Sequence, residues 1–157
     1  MIIGIDPGLK GGLCFPLGIV STMPLDEDGK ICPISLAAKV RVAELANNDK
    51  GGVAYIERVG SRPGQGVRSM WNFGYGCGTI YGTLLTLGYK VEYVTPQKWK
   101  KVVLGTKYTH DKEGAIAFCR EEYPHIELIM PRCRTPHDGI ADSVCIYEYG
   151  LLNQTLT

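Results

Sequence analysis

The chain opens on a short apolar run, "MIIGID", closed by Pro7-Gly8, which predicts a buried strand and then a turn. "GGLCF" and "GIVSTM" follow as two further strands of a meander. "ISLAAKVRVAELANN" has helical composition and stops at Asn47-Asn48, and "GGVAYIE" returns to strand from Val53 to Glu57 before the turn-rich "RVGSRPGQG". A long helix is predicted from Val67 to Leu87, and "YKVEYV" is a strand. "TPQKWKKVV" begins a helix with Thr95 as cap and Pro96 at its first position. "THDKEGAIAFCREEYP" is a helix ending at Pro124, and "TPHDGIADSVCIYEYG" (Thr135–Gly150) is a last, buried one. Strands first, then strand and helix in alternation, predict a mixed α/β domain, a single one over residues 1–157.

Composition bounds this picture without deciding it. With 157 residues, 45% hydrophobic and 21% charged, the chain is long enough for a proper core and reads as a soluble globular protein. A net charge of +1 points to neither an acidic nor a basic partner. No run approaches the roughly 18 apolar residues of a membrane span, and Asp6 and Lys10 interrupt the apolar N-terminus too early for a signal peptide. Six cysteines lack C-x-x-C spacing, so free thiols in a reducing, intracellular compartment are expected, either cytoplasm or an organellar matrix.

Two features break the apolar pattern. Gly74, Gly78 and Gly82 share one face of the long helix, at about 1 kcal/mol each relative to alanine. Close approach of another backbone would compensate, either the chain's own sheet or a second subunit. The other feature is acidic. Asp6 closes the first strand, Glu57 closes another, and Asp138 and Asp142 lie four apart on one face of an otherwise apolar helix. A carboxylate in such surroundings needs a compensating cation. Four of them make an oxygen site for magnesium or manganese, and no Cys/His cluster competes for zinc. Each acid also has a structural reading. Asp6 can begin a turn, Glu57 can be a solvated strand end, and Asp138 can serve the helix N-terminus in a capping box with Thr135. Asp142, inside the helix, escapes that explanation.

"GIDPGLKGG", "YIERVGSRPGQG", "VTPQKWKK" and "HDGIADSVCIYEYG", in this order, resemble the RuvC-type Holliday junction resolvases of the RNase H-like superfamily, with the phage and chloroplast forms most similar. The resemblance spans nearly the whole chain. It implies an RNase H-like five-stranded mixed sheet flanked by helices, a homodimer, and magnesium-dependent nicking of four-way DNA junctions, with manganese able to substitute. It places the catalytic, metal-binding acids on Asp6, Glu57, Asp138 and Asp142, with His137 in reserve for Asp138, whose spacing from Asp142 is four rather than the usual bacterial three. Two ions about 3.5–4 Å apart would clamp the scissile phosphate, leaving 5′-phosphate and 3′-hydroxyl ends. Lys112 is the basic residue expected at that phosphate. Lys98, Lys100, Lys101 and Lys107, with Arg58, Arg62 and Arg68 around the loop after Glu57, are expected to position DNA. Trp71 and Phe73 are candidates to stack on an opened base, against the alternative that both are core residues. The dimer contact is expected around Gly74, Gly78 and Gly82.

Other readings compete. A monomeric RNase H-like nuclease would act on RNA or simple duplexes and would lack the two-fold pair of sites. A module that binds branched DNA without cutting it would not need the full set of acids. A sugar-kinase-like ATPase needs two such domains, and this chain is too short.

Overall fold

The computed structural model describes residues 1–60, 64 and 66–155. Five strands form one mixed sheet: β1 (Ile2–Ile5), β2 (Gly12–Cys14), β3 (Val20–Thr22), β4 (Gly52–Glu57) and β5 (Tyr89–Val94), in the order β3-β2-β1-β4-β5. β1, β2 and β3 pair antiparallel, while β1 with β4 and β4 with β5 pair parallel. The apolar opening is therefore the central strand, and all four of its residues are buried.

Residues of β1 alternate between two cores. Ile3 and Ile5, with Ala54 and Ile56 of β4, face α1 (Pro33–Asn47) and α2 (Val67–Thr86) through Leu36, Val40, Ile80 and Leu84. Ile2 and Tyr55 face α3 (Pro96–Trp99), α4 (Lys112–Glu122) and α5 (Asp138–Thr155) through Trp99, Phe118 and Val144. Helix α1 stops where Asn48 turns left-handed (φ 48), as the asparagine pair predicts. No helix among the described residues is long and apolar enough to cross a membrane, and all six cysteines are free thiols.

The structure corrects the sequence reading at two places and decides between its alternatives at a third. The helix begun at Pro96 holds α-geometry for one turn only and continues as a π-helical turn, Lys100–Leu104. The last helix begins at Asp138, and its cap is His137, whose Nδ1 accepts from the Ile140 N–H (3.2 Å). Thr135 therefore does not cap it. Finally, a Cβ built on Gly74, Gly78 or Gly82 would meet no atom within 4 Å, so these glycines are not packed on the chain's own sheet.

Close packing in the sheet falls instead to Gly4. A Cβ there would overlap the Ser143 carbonyl and the Tyr147 backbone N–H, so the missing side chain is what lets α5 lie directly on β1. Overpacking typically costs about 1–3 kcal/mol, and more when backbone must move. Gly4→Ala is expected to destabilise the protein by about 3 kcal/mol or more, read from the urea midpoint.

Candidate active site at the carboxyl ends of the parallel strands

Strand register builds the site. Pairs run Ile2 with Val53 through Ile5 with Ile56, so one further step sets Asp6 of β1 beside Glu57 of β4. Alternation gives both the parity of Ile2, Gly4 and Tyr55, the face covered by α5. From above, α5 brings Asp138 at its first residue and Asp142 one turn on. Its N-terminus is pinned to the β1–β2 hairpin by a parallel bridge between Gly11 and Gly139. A Cβ at Gly139 would overlap the Lys10 carbonyl, and one at Gly11 the Asp6 carbonyl. The glycines of "GLKGG" and "HDG" thus hold the Asp6 turn and the Asp138 turn against one another.

Each acid has a definite neighbour. Asp6 Oδ1 accepts from the Gly8 N–H (3.2 Å), so this residue does shape its turn. Glu57 Oε1 accepts from Trp99 Nε1–H at 2.9 Å. Asp138 is ion-paired with Lys112. That contact, a hydrogen bond first, holds its carboxyl below the ordinary carboxylate range and raises the Lys112 ammonium. Asp6 is pushed up to about 6, by burial first and then by Glu57 and Asp138, with the Gly8 hydrogen bond and Lys112 opposing. Asp142 is pushed up to about 7, by burial, then by Asp6 and Glu57, with Lys100 opposing and Asp138 adding to the rise. The four acids therefore share one electrostatic neighbourhood, and its deepest members lack a neutralising charge.

The donor set fits a hard divalent cation: oxygen ligands, negative charge in excess, and shifts that a cation would reverse. The spacing is less complete. Among the described residues, no three Asp, Glu, His or Cys groups stand close enough to chelate an ion as placed. Closing the set around an ion requires side chains to turn, Asp138 first among them, since Lys112 holds it here.

The expected DNA-contacting residues divide. Arg58, Arg68, Lys98 and Lys101 are exposed. Lys107 is committed to Glu121 and Glu122, at 2.5 and 3.3 Å. Lys100 is half-buried, donates to the His110 carbonyl (3.1 Å), and its charge opposes the rise of Asp142. Arg62 lies outside the described residues. Neither aromatic candidate is a core residue. Trp71 is 71% exposed. Phe73 lines, with Glu57, Arg58, Met70 and Tyr93, a cleft of about 580 Å³ beside the acids. His137 acts as a cap through Nδ1, so only its other ring nitrogen is available to the site. Trp99 was missed by the sequence reading, because an indole within a basic run carries no signal of its long-range partner.

Neither a family model nor a curated protein matches this sequence. Solved structures do. RuvC of Thermus thermophilus superposes with a TM-score of 0.62 at 17% identity, covering 99% of this chain and 95% of that one. The same organism's RuvC in complex with Holliday junction substrate gives 0.64 at 15% identity, covering 99% and 95%. A weaker likeness, TM-score 0.44 at 16% identity over 99% and 84%, is to Ydc2, the yeast mitochondrial Holliday junction resolvase. The fold assignment rests on the first two: this is the RuvC, RNase H-like fold, with the five-stranded mixed sheet that the sequence motifs implied.

Proposed function

We propose that the protein is a divalent-metal-dependent endonuclease that resolves four-way DNA junctions. One observation carries the reading: on a RuvC-like fold, acids from β1, β4 and α5 converge at the strand ends, and Asp6 and Asp142 are held at about 6 and 7 by burial and mutual repulsion. Asp6, Glu57, Asp138 and Asp142 would hold magnesium, or manganese in its place, and the ion supplies Lewis-acid polarisation of the phosphate and acidification of water.

The chain's own groups do the rest. Hydrolysis adds water to phosphorus and breaks the P–O3′ bond, leaving 5′-phosphate and 3′-hydroxyl ends that a ligase can seal. Lys112, exposed and beside Asp138, neutralises charge on the phosphate when it swings from its partner. Arg58, Arg68, Lys98 and Lys101 hold flanking phosphates without reading sequence. Phe73 and Trp71 offer stacking faces beside the cleft.

Two nicks related by symmetry need two sites related by a two-fold axis. The open face of α2 suits that contact: Gly74, Gly78 and Gly82 leave the helix backbone bare, and Tyr75, Tyr81 and Leu85 stand exposed around them. The test is cleavage of a mobile four-way junction, with both nicks mapped, against linear duplex and RNA–DNA hybrid. Paired nicks on the junction are expected, requiring magnesium and lost in EDTA. Gel filtration should show a dimer that Gly78→Arg converts to monomer. Equal cutting of hybrid or duplex by a monomer would establish the RNase H-like alternative instead.

A further inference from the structure

We infer that Trp99 is a positioning residue for the metal-binding acids, its indole N–H fixing the Glu57 carboxylate in the orientation a cation needs. The inference rests on the reading of Glu57 as a ligand given above. Trp99 is completely buried, at 0% exposure, and its Nε1 lies 2.9 Å from Glu57 Oε1. A buried indole N–H requires an acceptor, and leucine or phenylalanine could fill a core without creating that requirement. Here the acceptor is not a backbone carbonyl but a carboxylate at the end of a central strand. Holding one oxygen restricts the Glu57 rotamer and leaves the other oxygen outside this bond.

The choice of donor matters. An indole N–H is uncharged and cannot leave as a cation would, so it orients the carboxylate without competing for the site. Lys112 at Asp138 is the contrasting case, a charged and exposed partner able to move away. The backbone is arranged to deliver the indole. Thr95 Oγ1 accepts from the Lys98 N–H (3.3 Å) to start α3. The wider π turn then closes through Gly105 N–H to the Lys100 carbonyl (3.3 Å) and buries Leu104. The next residue, Lys100, donates to the His110 carbonyl, and its ammonium lies 5.3 Å from the Trp99 ring. Such π turns concentrate at functional sites.

The test is calorimetric titration of Mn²⁺ into the whole protein, wild type against Trp99→Phe, alongside steady-state junction cleavage. Loss of a group that orients a ligand typically lowers metal affinity by about 10–100-fold. Trp99→Phe is expected to bind Mn²⁺ at least about 10-fold more weakly, with kcat reduced and KM for the junction unchanged, because a buried ring cannot touch DNA. Equal Mn²⁺ affinity in a folded Trp99→Phe overturns the inference. A wild type that binds no Mn²⁺ removes instead the reading of Glu57 as a ligand, and this inference with it. Should Trp99→Phe not fold, the indole ¹H–¹⁵N resonance of Trp99 decides the matter in a Trp71→Phe protein, where it is the sole indole signal. It should move on adding Mg²⁺, and move upfield in Glu57→Gln as a charge-assisted bond becomes a neutral one. A resonance indifferent to both overturns the inference.

Discussion

An Asp6→Asn protein is expected to bind a four-way junction as tightly as the wild type and to cleave it at least about 1,000-fold more slowly, some 4 kcal/mol in the barrier. The substitution is nearly isosteric. Its carboxamide oxygen can still accept the Gly8 N–H that shapes the turn after β1, so the local fold should survive. What disappears is one charge at the point where β1 meets β4 and α5. Asp6 and Glu57 are neighbours by register, and both act electrostatically on Asp142. Removing Asp6 therefore weakens cation binding at the centre of the set rather than at its edge. The DNA-holding residues Arg58, Lys98 and Lys101 are untouched and exposed. Single-turnover cleavage, with anisotropy titrations in calcium, separates chemistry from binding. Cutting at the normal rate would show that Asp6 only shapes its turn.

Metal-free protein is expected to lose stability as pH rises from about 4 to about 8, through the two deepest acids. In an unfolded chain, aspartates titrate near roughly 3.9. In the folded protein Asp6 is pushed up to about 6 and Asp142 to about 7. Between those values the folded state binds more protons than the unfolded one, so stability falls as pH rises. The contribution is fully present below the unfolded value and gone once pH passes the folded one. Its size is on the order of a few kcal/mol, reduced because the two acids repel each other and keep some contact with water. Asp142→Asn abolishes most of it, and the variant should melt several degrees higher than wild type at pH 8, with little difference at pH 4. Other acids titrate in the opposite sense, Glu44 being held low chiefly by Arg41 against the cost of burial, so the quantity to read is the difference between the two proteins. Magnesium should raise the wild-type melting temperature at pH 8 and leave it nearly unchanged at pH 5. A variant less stable than wild type at pH 8 without metal would contradict this. Stability sacrificed to crowd like charges is a common mark of a functional site.

The strands and helices were legible because their apolar runs are bounded by strong stops: Pro7-Gly8 after β1, Asn47-Asn48 after α1, and Thr95-Pro96 before α3. Asp6 and Glu57 were legible as strand ends, and Asp142 as a carboxylate that no cap explains. The π turn at Lys100–Leu104 was not, since its residues have ordinary helical preferences; Leu104 and Trp99 are buried in one core cluster there. Nor was the cap of α5, because Thr135 fits the usual pattern while the fold starts the helix at Asp138, where Gly139 meets the hairpin. Gly4, Gly11 and Gly139 carry close backbone approaches at the site, yet the regular spacing of Gly74, Gly78 and Gly82 drew attention to a face that is open in this chain. Long-range partners are invisible to local pattern, and the bonds from Trp99 to Glu57 and Lys112 to Asp138 both belong to that class.

The central claim is that Asp6, Glu57 and Asp142 close around a divalent cation. An anomalous-difference map from crystals grown in saturating Mn²⁺ reads this directly. The expected result is a peak enclosed by these three carboxylates, with Lys112 turned away from Asp138. A map whose manganese peaks all lie elsewhere, with the three acids still apart, would contradict it.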